Sequence, residues 1–303
     1  MVVKETKINN CSVKPLIPIT TLDTNKIKGG KLIDVVSNIT LLCAKRNSGK
    51  TTAVAKLALE TTSKKTIFWI FTPTYNRDDT WIELIKRLKN RGNTVNVFGS
   101  IFENKKDILY QIVKSLLADE EDEPAPLTKK PQIMGNPLQM MGRPMRNHFG
   151  LPEKPKPEPK PKEPKVYKPK KEAPEHIFII DDLATQLSRS VGVEEICKNG
   201  RHLKMSIYIS FQYKNDLPPG CWTQATYLMI FQHISREKLK EMYLILNLHN
   251  CTLEQFYELY DYATTPTGSD KKPFLYIDVN NSSFKKSFNK RIELERGHVE
   301  ELE

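Results

Sequence analysis

The segment 44–52, AKRNSGKTT, constrains the fold of this chain more than any other feature. It stands between a short apolar run, ITLLC, and a segment with helical periodicity, TTAVAKLALE. A Gly-Lys-Thr at a strand-to-helix turn brings backbone N–H groups and the positive end of a helix dipole to one point, where they bind phosphate. The sequence therefore predicts a phosphate-binding loop within an α/β fold.

The residue types in this loop suit a nucleoside triphosphate. Gly49 lets the backbone approach the phosphates, Lys50 reaches the β- and γ-oxygens, and the Thr51 hydroxyl can ligate Mg²⁺. The first position is Ala44 where the usual pattern has glycine. We expect the loop to bind ATP through Ala44, Lys45, Arg46, Asn47, Ser48, Gly49, Lys50, Thr51 and Thr52.

Short β-rich runs alternate with helical patterns, which is typical of a parallel sheet with crossover helices. Several of the runs are apolar at every residue, so their strands should be covered on both faces. The fold class predicted is α/β, with a mostly parallel sheet between helix layers. The predicted strands are 39–43, 66–71, 95–98, 176–180, 206–211, 227–231 and 273–279, and the predicted helices are 50–60, 80–91, 104–118, 193–200 and 236–248.

The pattern of apolar periodicity disappears over residues 119–175, which contain the run PEKPKPEPKPKEPKVYKPKKEAP. Repeated prolines remove backbone donors and fix φ, so we expect extended or disordered chain here. The segment is a linker or capsid tether, or it adds a basic contact. The predicted organisation is an irregular lead-in (1–30), one ATPase domain (31–118 and 176–280), the insertion, and a charged tail (281–303) whose residues 284–298 favour a solvated helix.

A second motif, HIFIIDD at residues 176–182, consists of the predicted strand 176–180 followed by two aspartates. A P-loop enzyme needs carboxylates at such a strand end, to hold Mg²⁺ and to orient the attacking water. Asp181 is the candidate Mg²⁺-linked carboxylate. Asp182 is the candidate catalytic base, although it could instead cap the helix that begins nearby.

The stretch KNGRHLKMSIYISFQ, residues 198–212, follows this motif. Together with the P-loop and the Asp-Asp pair, its arginine, hydrophobic strand and terminal glutamine resemble the FtsK/HerA superfamily. More narrowly, they resemble the poxvirus-type packaging ATPases of large DNA viruses and virophages. The resemblance implies a RecA/ASCE-like fold, with Gln212 sensing the γ-phosphate and Arg201 acting as an arginine finger in a neighbouring subunit. A hydrogen-bonded strand-end glutamine and a solvated arginine are the alternatives.

The same resemblance implies a function. It is that of an ATP-hydrolysing motor that moves double-stranded DNA, without regard to sequence, into a viral capsid. It implies a homo-oligomeric ring, a hexamer, with a capsid component as a possible partner, acting in the cytoplasm of a host cell and in the virion. The stretch LPPGCWTQA lacks the second arginine that relatives often carry, and Arg189 and Arg236 are the substitutes available.

The composition suits a polyanionic partner, because the chain has 47 Lys and Arg but only 36 Asp and Glu, which gives a net charge of +11. The five cysteines form no CxxC pair, which favours free thiols. The apolar runs are too short for a bilayer, so no membrane partner is expected. Two other functions stay open. A helicase or replication ATPase would stack single strands on aromatic residues, and a nucleotide-binding virion scaffold would need no water-activating acid.

Overall fold

The computed structural model describes residues 24–122, 171–248, 250–268 and 270–293. Within these residues nine strands form one sheet, and two short strands form a separate hairpin. The sheet strands are β1 (Ile39–Cys43), β2 (Ile67–Phe71), β3 (Val95–Phe98), β6 (His176–Ile180), β7 (Met205–Phe211), β8 (Tyr227–Ile230), β9 (Leu275–Asp278), β10 (Ser283–Lys286) and β11 (Lys290–Ile292). The hairpin pairs β4 (Phe102–Glu103) with β5 (Lys106–Asp107).

The strand order in the sheet is β11-β10-β9-β8-β1-β7-β6-β2-β3. The six strands from β8 to β3 are mutually parallel, whereas β9, β10 and β11 add an antiparallel edge beyond β8. Strand β7 therefore separates β1, which leads into the P-loop, from β6, which ends in the aspartates. All three strands deliver their carboxyl ends to the same edge of the sheet, where a ligand of an open α/β sheet binds.

Helices cover both faces of the sheet, so the predicted α/β fold class is confirmed. Residues of α1 and α2 contribute to the hydrophobic cluster on one face, and residues of α3, α5, α7 and α8 contribute to the cluster on the other. The helices are α1 (Lys50–Thr61), α2 (Asp79–Asn90), α3 (Ile108–Asp122), α4 (Ala184–Leu187), α5 (Val191–Asn199), α6 (Pro219–Thr223), α7 (Arg236–Leu246) and α8 (Leu253–Thr264).

Sequence patterns found most of these elements, and the differences have identifiable causes. The helix expected from residue 104 begins at Ile108, because the β4–β5 hairpin occupies the preceding residues. Helix α8 was not predicted, although its start carries a capping box in which Thr252 and Gln255 bond reciprocally to backbone N–H groups. Apolar residues at Phe256, Leu259 and Tyr260, all buried, complete a signal that could have revealed it.

The prediction of a helix over residues 284–298 is wrong for the part that the structure describes. Residues 283–286 and 290–292 are the antiparallel strands β10 and β11, so the sheet continues past residue 280.

Helix α3 continues to Asp122, into the segment predicted as an insertion, of which residues 123–170 lie outside the described residues. In the predicted lead-in, residues 1–23 lie outside them as well, while Ile27 is buried and pairs with Glu172.

Candidate functional site

The P-loop wraps the N-terminus of α1 at the carboxyl end of β1. Gly49 is the N-cap of the helix and has a φ of 93°, a left-handed conformation that glycine adopts without steric cost. Asn47 is also left-handed, with a φ of 61°. Ala44 is buried and does not have a left-handed backbone conformation, and its N–H donates to the Phe211 carbonyl. Its backbone conformation therefore does not require glycine, which explains how alanine can occupy the first position of the motif.

Lys50 lies at the centre of the site and is buried. Its ammonium group forms an ion pair with Asp181 Oδ1 at 2.8 Å and a second, shorter one with Asp182. Burial alone lowers the pKa of Lys50, but the charges and hydrogen bonds of the two aspartates outweigh burial, and the pKa is raised above its usual value. Lys50 therefore carries a full positive charge at the point where the loop would meet phosphate.

The two aspartates at the end of β6 have different environments. Asp181 is buried, and its Oδ1 accepts a hydrogen bond from the Ser210 hydroxyl at 2.5 Å. Asp182 is exposed and left-handed, with a φ of 57°, and its N–H donates to Ser210 Oγ at 3.2 Å. Aspartate tolerates left-handed backbone better than most residues. This explains a short acid at the position expected for the catalytic base, and Asp182 does not act as the N-cap of α4, which is Leu183.

Gln212 follows β7 and lies near these groups. It lines a cavity of about 330 Å³ together with Lys50, Asp182 and Ser210. Its N–H donates to Asp216 Oδ2 at 2.9 Å, and its carbonyl accepts from Lys238 at 3.2 Å. The backbone is thus held on both sides while the residue remains exposed.

Arg201 does not join this group. It is exposed in the turn between α5 and β7, and it lines a small recess with Ser37, Ile39 and Thr226. These neighbours mark the amino ends of β1 and β8, so Arg201 lies at the edge of the sheet opposite the P-loop. Of the substitutes, Arg236 is ion-paired with Asp261, and Arg189 is exposed just after α4.

The P-loop opens into a cavity of about 1070 Å³, which we call the phosphate cavity. Its lining includes the predicted residues from Arg46 to Thr52, whereas Ala44 is buried and Lys45 is exposed outside it. Sequence reasoning missed Lys272, Ser210 and the loop after β2, which contributes Thr74 and Arg77. A lysine before a strand and a serine within one match no motif.

The residues fit a Mg²⁺ ion of the kind that P-loop proteins bind. Thr51 lines the phosphate cavity, and Asp181 Oδ2 is buried without a hydrogen-bond partner among the described residues. A buried carboxylate oxygen without a partner is costly unless water or a cation satisfies it. No ready-made cluster of three His, Cys, Asp or Glu side chains occurs in the described ranges. A P-loop ion draws its other ligands from phosphate and water.

Comparison with known proteins gives limited matches. No family model matches the chain. An uncharacterized protein 075L of Invertebrate iridescent virus 6 is 31% identical over 75 residues, which are 24% of this chain and 29% of that protein. The chain therefore matches less than a third of that relative's length.

Solved structures of similar fold include the genome-packaging NTPase B204 of Sulfolobus turreted icosahedral virus 2. Its complex with ATP-gammaS is 14% identical, with a TM-score of 0.44, over 82% of this chain and 95% of that chain. Its complex with AMP has a TM-score of 0.47 at 13% identity, over 83% and 97%. The DNA-packaging ATPase B204 of Sulfolobus turreted icosahedral virus has a TM-score of 0.45 at 13% identity, over 82% and 96%. At these identities the functional residues must be assigned from this chain's own geometry.

No helix in the described part of the chain combines the length and apolar character that crossing a bilayer requires.

Proposed function

We propose that this protein hydrolyses ATP. The observation that carries the proposal is the convergence of Lys50 with Asp181 and Asp182 at the P-loop. Lys50 and Asp182 line a cavity large enough for a nucleotide, and Asp181 is buried behind them. A protein that only bound nucleotide would need the loop and its lysine. It would not need a second, exposed carboxylate beside them.

Each residue has a distinct part in the reaction. Lys50 moves its ammonium group from the aspartates to the β- and γ-phosphates, which compete for the same charge. Asp182, freed from that ion pair, accepts a hydrogen bond from the attacking water and orients it toward the γ-phosphate. Mg²⁺, held by Thr51 and Asp181, would neutralise phosphate charge when bound. Gln212, at the end of the adjacent strand, shares a cavity with Lys50 and Asp182 and would contact the γ-phosphate.

We further propose that hydrolysis drives movement along double-stranded DNA, as in the FtsK/HerA-type packaging ATPases that the motifs resemble. A net charge of +11 suits a partner that is bound through its phosphates and without base readout. Arg201 would act on the nucleotide of a neighbouring subunit in a homo-oligomeric ring, a hexamer. The setting would be genome packaging into a capsid, in the host cytoplasm.

The test is ATP hydrolysis by the purified full chain, with and without duplex DNA, at two salt concentrations. We expect duplex DNA to stimulate turnover, and the stimulation to fall steeply as salt rises. Binding to DNA phosphates releases the counterions that were condensed on the DNA, and added salt opposes that release. Lys50→Ala should abolish turnover. Lys64→Ala, an exposed lysine in the turn after α1, is the matched control and should leave turnover unchanged.

Other outcomes point to other functions. ATP binding without turnover, unaffected by DNA, would contradict the motor and indicate a nucleotide-binding scaffold. Stimulation by single strands in place of duplex would indicate a helicase or replication ATPase.

A further inference from the structure

A second large cavity adjoins the phosphate cavity beside α1, and we call it the aromatic cavity. It has a volume of about 800 Å³ and is bounded by α1, by the loop before β9 and by the turn between β10 and β11. Gly49, Thr52 and Lys272 line both cavities. A ligand whose phosphates lie in the P-loop can therefore extend its remaining part over the start of α1 into the aromatic cavity.

Two phenylalanines give the aromatic cavity its apolar wall. Phe274 is buried, whereas Phe288, in the β10–β11 turn, is half-buried, so part of its ring remains open to the cavity. The Phe288 ring is held by edge contacts with Phe274 at 5.1 Å and Tyr276 at 6.0 Å. The ammonium of Lys56 lies 5.8 Å from its centroid and 3.8 Å from Glu60 Oε1. Because Lys56 is exposed, its flexible side chain can move aside when a base stacks on the ring. An aromatic ring with an accessible surface suits stacking by a nucleobase.

Three polar residues of the aromatic cavity lie on the two loops that face α1. Asp270 and Ser287 are hydrogen bonded to each other at 2.8 Å, so they hold the two loops together. Asn289 is exposed on the same turn as Phe288, and its amide offers both a donor and an acceptor to the edge of a base. Lys31, Lys56, Glu60 and Lys272 also line the cavity, so charged side chains surround its apolar wall.

Lys272 stands at the boundary between the two cavities. Its side-chain stem lies 3.2 Å from where a Cβ on Gly49 would be, and its ammonium donates to Asn47 Oδ1 at 3.0 Å. A cation in that position can contact the part of the nucleotide that joins the base to the terminal phosphates. The loop before β9 thus contributes both to the P-loop and to the aromatic cavity.

We propose that the aromatic cavity is the nucleoside subsite, that Phe288 stacks on the base, and that the subsite prefers purines. The proposal rests on the nucleotide site described above, and it adds the position and selectivity of base recognition. A purine has a larger stacking surface than a pyrimidine, and the volume of the cavity admits it. Lys272 is the charged residue among the three that line both this subsite and the phosphate cavity.

The experiment measures the equilibrium binding of three probes, ATP, CTP and inorganic tripolyphosphate, to the full chain. For the wild type we expect ATP to bind more tightly than CTP, and both more tightly than tripolyphosphate. Phe288→Leu keeps apolar volume but removes the aromatic face, so ATP affinity should fall about tenfold while tripolyphosphate affinity stays constant. Phe288→Tyr should bind ATP within about twofold of the wild type, since it keeps the ring.

The control variant is Phe102→Leu, a half-buried phenylalanine in the β4–β5 hairpin, which should bind all three probes as the wild type does. Unchanged ATP affinity in Phe288→Leu would overturn the subsite, and so would an equal loss for all three probes. Binding of ATP without hydrolysis would contradict the proposed enzymatic function. It would leave the comparison of the three probes, and hence the subsite, intact.

Discussion

Ser210 connects the two aspartates of the candidate site. Its hydroxyl donates to Asp181 and accepts from the backbone N–H of Asp182, so one side chain sets the position of both acids. Ser210→Ala should reduce the rate of ATP hydrolysis about tenfold or more, because a hydrogen bond to a charged group contributes about 1.5–3 kcal/mol. Turnover at saturating ATP, together with the thermal midpoint, measures the effect.

Ser206, buried on the same strand, provides a matched control for Ser210. It donates to the Val36 carbonyl at 2.6 Å, at the opposite end of β7 from the aspartates. Ser206→Ala should lower the free energy of unfolding by about 1 kcal/mol and leave turnover unchanged. Equal losses of turnover in both variants would mean that Ser210 only stabilises the fold.

Asp182 can be tested without disturbing its backbone. Asn tolerates the left-handed conformation as Asp does, so Asp182→Asn removes the charge while keeping the φ of 57°. We expect ATP to bind with little change and hydrolysis to fall at least about a hundredfold, as is typical when a general base is lost. Binding and single-turnover kinetics separate the two effects. Retained hydrolysis would exclude Asp182 as the base.

Among the elements, the β4–β5 hairpin has a turn with two successive left-handed residues. Asn104 and Lys105 both have positive φ, at 50° and 63°, and lysine has no local means of stabilising that conformation. Lys105→Gly should raise the free energy of unfolding by up to about 1 kcal/mol, since glycine adopts left-handed backbone freely. Urea unfolding measures it. Lys106→Gly, one residue later in β5, should lower stability instead, and the same sign for both variants would contradict the explanation.

The elements also show which features a sequence pattern can predict. Strands β1 and β6 are apolar throughout and end in distinctive residues, so both the strands and the candidate site residues Lys50 and Asp181 could be predicted. Strands β10 and β11 carry many charged residues, and this charge led to the prediction of a solvated helix over residues 284–298. Lys286 explains the failure, because it is buried and its ammonium donates to the carbonyl oxygens of Tyr262 and Thr265 near the end of α8. No local pattern predicts such a partner.

The arrangement of the whole molecule accounts for the other misses. Lys272 contacts Asn47 across 225 residues of sequence, and the contact exists because β9 lies beside β8 and β8 beside β1. The order of strands in a sheet follows from the packing of all its parts. A motif search finds residues that are close in sequence, so it found the P-loop and could not find the lysine that contacts it.

The position of Arg201 leads to a prediction for the assembly as a whole. Arg201 neighbours the residues at which β1 begins, whereas the P-loop follows the point at which β1 ends. A strand of five residues separates the two by about 15 Å or more, so Arg201 cannot reach the nucleotide of its own subunit. If it is an arginine finger, it acts on the neighbour. Arg201→Ala alone and Lys50→Ala alone should then each be inactive.

A mixture of the two inactive variants should regain activity. In a randomly mixed ring, about a quarter of the interfaces pair a subunit that has Lys50 with a neighbour that has Arg201, so ATP turnover should approach a quarter of the wild-type rate. Mixing Arg201→Ala with a Lys50→Ala, Arg201→Ala double variant provides the control, and it should stay inactive because no subunit supplies the arginine. If the first mixture also stays inactive although the subunits assemble together, Arg201 is not acting between subunits, and its exposed position reflects solvation alone.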